Sequence, residues 1–373
     1  MQGTHAGYWP PPGERLLVFA ANDYLGLSGH PEVRTAAARA TAVFGCGPRS
    51  SALVCGYTDQ HASLESALAD LKGSEDVILF PTGFAANLAV LGALATSDDC
   101  AIFSDALNHA SIVDGARLAA KGAGAKLHIY RHSDLDHLET LLKASSAPRK
   151  LIVSDSLFSM DGDVADCRGL ATLKRRYGAM LCLDEAHATL VFGESGGGVA
   201  EEQGVSDAVD VHVGTLSKAC GAHGGFVGCS STLKRLLLSR GRAGVFSTAL
   251  PLPAVAAAAA AISVKDLPER RARLWANVRR FAQAAGLGDD VSGTTPMTTP
   301  QSPILPFIVG AEADALEASE ALLRQGFLVP AIRPPTVPAG TARLRVALSA
   351  EHTSDELDSL AAALRSAVNG GNL

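Results

Sequence analysis

What this chain lacks narrows it before any motif is considered. Its seven cysteines stand alone at positions 46, 55, 100, 167, 182, 220 and 229, with no Cys-x-x-Cys spacing, so neither a zinc knuckle nor a disulfide framework is indicated. It has no Asn-x-Ser/Thr sequon, and Met1 to Pro12 has no apolar core of the kind a signal peptide carries. The longest apolar run, Ala254 to Ile262, is mostly alanine and falls far short of the roughly 18 residues that span a bilayer. A Gly-x4-Gly-Lys-Ser/Thr phosphate loop is absent. So is the basic excess of a nucleic-acid binder, since 32 Lys and Arg against 38 Asp and Glu leave a net charge of -6. These absences predict an intracellular protein, cytoplasmic or housed in an organelle such as the peroxisome, with no metal site, no membrane segment and no nucleic-acid partner.

What is present is a long chain, 373 residues with 47% apolar content, enough for two or three packed units. Residues 1 to 15 are rich in Gly and Pro and read as a loose arm or a shortened start. Pro31 opens a helical pattern, Gly45 to Gly56 reads as a loop, and Ser63 is expected to begin a second helix. Seven short apolar runs follow, at Val77 to Phe80, Ala101 to Ser104, Lys126 to Tyr130, Leu151 to Asp155, Met180 to Asp184, Val211 to Gly214 and Phe226 to Cys229. Helical patterns separate most of them, which predicts an α/β fold with a mainly parallel seven-stranded sheet covered on both faces. In such sheets ligands sit at the carboxyl ends of the strands.

Beyond Pro253 the pattern predicts one long helix, from Ala254 to about Ala285, whose arginines 270, 271, 273, 279 and 280 form a solvated face. A Thr/Pro-rich linker, Ser292 to Ser302, leads into strands and a helix of a small C-terminal α+β domain. The expected division is 1–40 for the arm and first segment, 41–262 for a large α/β domain, and 263–373 for the small one.

The polar residues at the strand ends carry the chemistry. Asp184, at the end of one apolar run, is a carboxylate in need of a cation, and a protonated pyridine nitrogen would supply one. Lys218, after Gly214-Thr-Leu-Ser, can form a Schiff base with an aldehyde cofactor such as pyridoxal 5'-phosphate; an ordinary lysine at a helix start is the alternative. His187 follows Asp184 closely enough to reach a phenolic oxygen on the same ring edge. Asp184-Glu-Ala-His is also the spelling of a helicase metal motif, which the missing phosphate loop argues against. His109 is a candidate to stack on the ring, and Thr82, Gly83 and Phe84 open a helix whose N–H groups suit a phosphate. Ser159 either bonds the ring or makes a turn. Arg343 and Arg345 share one face of a strand, with Arg333 a little upstream; they are either exposed edge arginines or a planar grip for a carboxylate.

With these motifs in place the chain resembles the α-oxoamine synthases, fold-type I pyridoxal-phosphate enzymes that condense an amino acid with an acyl-CoA. Asn22 to Gly26, Gly83 to Asn87, Asn108 to Ser111, Ser159 to Asp163, Asp184 to His187, Gly214 to Lys218 and Arg343 to Arg345 occur in the family's order. The resemblance implies that Lys218 is the Schiff-base lysine and proton carrier, Asp184 the pyridinium partner, His187 the phenolic-oxygen partner and His109 the stacking ring. It further implies that Thr215 joins Thr82, Gly83 and Phe84 around the phosphate, that Thr248 reaches the phosphate of the other subunit of a homodimer, and that Arg345, with Arg333 and Asn22, holds the substrate. Its plant-type spelling points to L-alanine and pimeloyl-CoA, or a related thioester, as substrates on the way to biotin. The alternatives are a glycine C-acetyltransferase or a catalytically silent partner subunit.

Overall fold

The computed structural model describes residues 15–287 and 300–369. Residues 1–14 of the expected arm and 292–299 of the expected linker lie outside them. The chain divides into two compact units: one of Gly26–Phe158 and Val164–Leu267, the other of the described parts of Met1–Leu25, Ser159–Asp163 and Pro268–Leu373. Among the described residues no helix is long and apolar enough to cross a membrane.

A two-residue strand β1 (Leu17–Val18) precedes the larger unit, whose sheet is built from β2 (Asp76–Phe80), β3 (Cys100–Asp105), β4 (Lys126–Tyr130), β5 (Arg149–Asp155), β6 (Met180–Asp184), β7 (Val211–Thr215) and β8 (Gly225–Cys229). These correspond to the seven apolar runs of the sequence. Their order is β2-β8-β7-β6-β5-β3-β4, and every neighbouring pair is parallel except the two that include β8. Every residue of β3, β7 and β8 is buried, which is why these strands read as continuous apolar runs rather than alternating ones. Six helices, α1 (Pro31–Phe44), α2 (Asp59–Lys72), α3 (Gly83–Leu94), α4 (Ala110–Ala123), α5 (Leu135–Ala144) and α6 (Cys167–Tyr177), precede or link the strands.

The chain builds β3 and β4 outward in one direction and β5, β6 and β7 in the other, so the strand order switches between β3 and β5. A crevice opens at such a switch, beyond the carboxyl ends. Asp105, Asp155, Asp184 and Thr215 are the last residues of β3, β5, β6 and β7, and Asp155 and Asp184 are register partners. Burying Ile102, Phe103, Val153, Leu181 and Val213 is what brings these polar termini to a common edge.

The smaller unit pairs β1 in parallel with β10 (Phe327–Leu328) and sets β12 (Ala342–Ala347) between β11 (Ala331–Ile332) and β9 (Ile304–Gly310), both antiparallel to it. All six residues of β12 are buried. Arg343 and Arg345 therefore lie on a central strand, and the exposed-edge alternative for them is overturned.

Three further expectations are corrected. The second helix begins at Asp59, four residues before Ser63: Thr58 is extended with its hydroxyl 2.9 Å from His61 Nδ1, and the Asp59 carboxylate favours a helix N-terminus. The long helix after Pro253 is two, Leu252–Ile262 and Leu267–Ala285. Ser263 ends the first, and Pro268, which cannot donate an N–H, occupies the start of the second. Arg270 is not solvated: it is buried and donates 2.9 Å to Leu25 O and 2.7 Å to Glu351 Oε1.

Candidate active site

In the larger unit Asp184 is buried where β6 ends, and its two oxygens are used separately. Oδ1 accepts from the backbone N–H of Ala186 at 2.8 Å, and Oδ2 accepts from Asn87 Nδ2 at 2.6 Å. Behind it, Ser156 donates to the Asp184 carbonyl through both its backbone N–H (2.8 Å) and its hydroxyl (3.0 Å). Strand end and side chain are thus both held. His187 is buried in the turn that follows, and Lys218 is half-buried in the turn after β7.

His109 caps α4, its Nδ1 accepting from the Ser111 N–H at 3.2 Å and lying 2.7 Å from Ser111 Oγ. Its own N–H donates to Asp155 Oδ2 at 2.8 Å. His109 is an exposed residue, but the partial loss of water around its ring holds the imidazole below its ordinary value; Asp184 opposes this and Lys218 reinforces it. Burial and the Asp184 charge push Asp155 well above the usual carboxylate range, against the His109 N–H and Lys218. Charges of Asp184, Asp155 and Lys218 are therefore felt at one place, which brings together His109, Asp184 and Lys218 from three separate motifs.

Thr82 caps α3, its Oγ1 accepting from Ala85 N–H at 3.0 Å. The N–H groups of Gly83 and Phe84 head the helix, where backbone donors have no intrahelical acceptor. Thr215 is adjacent: a Cβ added to Gly83 would lie 3.3 Å from Thr215 Cβ. Thr215 Oγ1 bonds Gly224 O at 2.9 Å and Ser217 Oγ at 2.8 Å. Gly225 tolerates no side chain, since a Cβ there would sit 2.3 Å from the Thr82 carbonyl carbon. Glycines, hydroxyls and helix-start donors, without any basic side chain in this set, make a cradle that fits a phosphate. Phe84 is exposed and meets His109 edge-on, ring centroids 6.3 Å apart. Thr248, also exposed, pairs with Ser51 across a short antiparallel bridge.

Sequence reasoning missed the support beneath Asp184. Its neighbour Glu185 points the other way in the strand-end alternation and is fully buried, pairing with Lys72 Nζ at 3.0 Å and His212 Nδ1 at 2.9 Å, and accepting from Ala200 N–H at 3.1 Å. Burial raises the Glu185 carboxyl, but Lys72 and His212 outweigh it and bring it down to about 2. The only sequence signal is a charged residue inside an apolar neighbourhood. Asn87 is visible in the Gly83 to Asn87 motif, but its position there assigns it no role.

The smaller unit holds the other predicted residues. Arg345 is buried; its Nε donates to Ser159 O at 2.5 Å and its Nη2 to Asn22 Oδ1 at 3.2 Å. Tyr24 OH donates to the same Asn22 oxygen at 3.2 Å, and burial pushes the Tyr24 phenol up to about 12 against the pull of Arg345. Arg343 is committed elsewhere, to Asp161 Oδ1 at 2.6 Å and Met160 O at 3.2 Å. Arg333 is half-buried just past β11, its carbonyl accepting from Thr336 N–H at 3.0 Å. Within this unit, then, Arg345, Asn22 and Ser159 come together.

Residues 14–364 match the family model of class I and II aminotransferases. The chain is 48% identical over 374 residues to 8-amino-7-oxononanoate synthase of Arabidopsis thaliana, which covers 96% of this chain and 76% of that protein. With the enzyme of the same name from Anaeromyxobacter dehalogenans (strain 2CP-C) the identity is 52% over 360 residues, covering 96% and 88%. A solved serine palmitoyltransferase from S. paucimobilis, with a bound PLP–myriocin aldimine, superposes with a TM-score of 0.88 at 32% identity over 96% of this chain and 89% of that one. The chain belongs to the class I and II aminotransferase family, and its mainly parallel sheet is the fold of that pyridoxal-phosphate-dependent class. Within the family it falls among the 8-amino-7-oxononanoate synthases.

Proposed function

We propose that this chain binds pyridoxal 5'-phosphate and joins L-alanine to pimeloyl-CoA, or another pimeloyl thioester, giving 8-amino-7-oxononanoate, coenzyme A and CO2 for biotin synthesis. The observation that carries this reading is the buried Asp184 carboxylate at the carboxyl end of β6, with His109 and Lys218 close enough to share its field. The identity to named 8-amino-7-oxononanoate synthases supports the choice of substrates.

The cradle fits the cofactor in three respects. The phosphate has Thr82, Gly83, Phe84 and Thr215; the ring nitrogen has Asp184; the aldehyde has Lys218. His187 is assigned to the phenolic oxygen, His109 to the ring face and Ser159 to a hydrogen bond with the ring. When bound, the cofactor supplies the electron sink for chemistry at the amino acid's α-carbon. Lys218 Nζ takes the α-proton of L-alanine and later returns a proton to the product. Asp184, fixed at both oxygens, keeps a positive charge opposite it without reorganising. Burial of His187 excludes water from its side of the ring. Arg345, with Arg333 and Asn22, is assigned to the amino-acid carboxylate, for which a guanidinium offers a two-pronged grip.

A homodimer with Thr248 serving the partner's phosphate accompanies this reading. Val43, Val54 and Phe246 are 72%, 76% and 71% exposed, and Thr248 adjoins Phe246 and is bridged to Ser51. Apolar side chains so exposed suit coverage by a second copy.

Borohydride reduction of the purified protein, followed by peptide mass spectrometry, tests the reading. Cofactor mass on Lys218 is expected. Absence of any trapped cofactor, or turnover undiminished in Lys218→Ala, would refute it.

A further inference from the structure

One chain of hydrogen bonds crosses the site from α3 to α4, and its polarity can be read atom by atom. It starts at the Asp184 carboxylate, which accepts. The partner at 2.6 Å must therefore be the amide nitrogen of Asn87 and not its oxygen. That nitrogen has a second hydrogen, which goes to Ser111 Oγ at 2.9 Å. With its oxygen accepting from Asn87, the Ser111 hydroxyl has its own proton to give, and His109 Nδ1 lies 2.7 Å away. The Ser111 backbone N–H, a group that can only donate, points at the same Nδ1 at 3.2 Å. Two donors facing one ring nitrogen require a lone pair there.

We infer that Asn87 and Ser111 are positioning residues which transmit the orientation of Asp184 to His109 and lock its imidazole as the neutral tautomer with the proton on Nε2. The inference rests on the proposed placement of His109 and Asp184 around the cofactor, and assigns roles to two residues outside the set given above. Asn87 is 1% exposed and Ser111 0%, so water does not compete for their hydrogen bonds. The charged groups acting on His109 are Asp184, Lys218 and Asp114, with the Asp155 carboxylate on its N–H. An imidazolium would have to turn an Nδ1–H into two donors, so the relay opposes protonation. A neutral ring with its N–H at Nε2 can lie on an electron-accepting ring system without adding a positive charge, and its one remaining donor is turned away from α4.

The test is nitrogen-15 NMR of histidine-labelled holoenzyme, the His109 signal being assigned by its loss in His109→Gln. In the wild-type protein the Nε2–H tautomer alone is expected, persisting to lower pH than in a free imidazole. Ser111→Ala and Asn87→Ala are expected to admit the Nδ1–H tautomer and to let the ring protonate at higher pH, while Ser111→Thr, which keeps a hydroxyl, restores the wild-type pattern. Asn87→Ala should also weaken cofactor binding about tenfold, the loss of one hydrogen bond to a carboxylate. A His109 tautomer unchanged in both alanine variants, with unchanged circular dichroism, would overturn the relay. The tautomer is read on His109 itself and the cofactor by its visible absorbance, so failure of the relay and failure to bind cofactor are separately seen.

Discussion

At the scale of single residues, the molecule uses charge in two opposite ways on consecutive positions. Asp184 is held at both oxygens by neutral donors, whereas Glu185 is fully buried and neutralised by Lys72 and His212. Removing one member of a buried ion pair strands the other. Lys72→Met is expected to cost on the order of 3 to 5 kcal/mol in chemical denaturation, more than a surface lysine substitution, which stays within about 0.5 kcal/mol. The sign of the pH dependence follows from the same group. Glu185 is lowered from 4.5 to about 2 on folding, so its contribution is fully present above pH 4.5 and is lost as pH falls through about 2. Denaturation midpoints measured down this range should fall less steeply in Glu185→Gln, whatever that variant's stability at neutral pH. Arg345 makes a different prediction. Arg345→Lys keeps the charge and loses the planar fork, so KM for L-alanine should rise by about tenfold or more with a smaller change in kcat. An unchanged KM would remove Arg345 from substrate binding.

At the scale of elements, the sheet was legible because its strands are buried on both faces and so read as uninterrupted apolar runs. The carboxyl ends were legible for the same reason: Asp184 and Thr215 are where those runs stop. Other features depend on partners far along the chain. The bond between Lys72 and Glu185 spans 113 positions, and nothing local announces it. Ser159–Asp163 belongs to the smaller unit although its neighbours in sequence belong to the larger. Gly162, at a positive φ of 71° and packed against Ile304 O, is one residue that allows that approach. The break between Ile262 and Leu267 was hidden by an alanine-rich run whose helical propensity outweighs a single serine. The close seating of β8 on the start of α3 gives a test at this scale. Gly225→Ala would drive a methyl group into the Thr82 carbonyl carbon, so the variant should fold less stably and lose visible cofactor absorbance together. Retention of both would show that the Thr82 turn can shift freely.

At the scale of the whole molecule, the exposed Val54 and Phe246 and the bridge from Ser51 to Thr248 are the surface from which a shared site is proposed. If Thr248 serves the partner's cofactor, Lys218→Ala on one subunit and Thr248→Val on the other fall in the same site of a mixed dimer. One of its two sites then carries both defects and the other neither. Mixing the two inactive proteins under conditions that exchange subunits should recover activity, whereas no recovery despite demonstrated exchange would place Thr248 within its own subunit's site. The resemblance that names alanine and a pimeloyl thioester extends over nearly the whole chain, but the residues that choose between amino acids are few.

Coenzyme A release is therefore the most direct measurement, taken with L-alanine, glycine and L-serine against pimeloyl-CoA, acetyl-CoA and palmitoyl-CoA. The account predicts that L-alanine with pimeloyl-CoA gives the highest kcat/KM, and that this activity disappears in Lys218→Ala. A preference for glycine with acetyl-CoA or for serine with palmitoyl-CoA would contradict it.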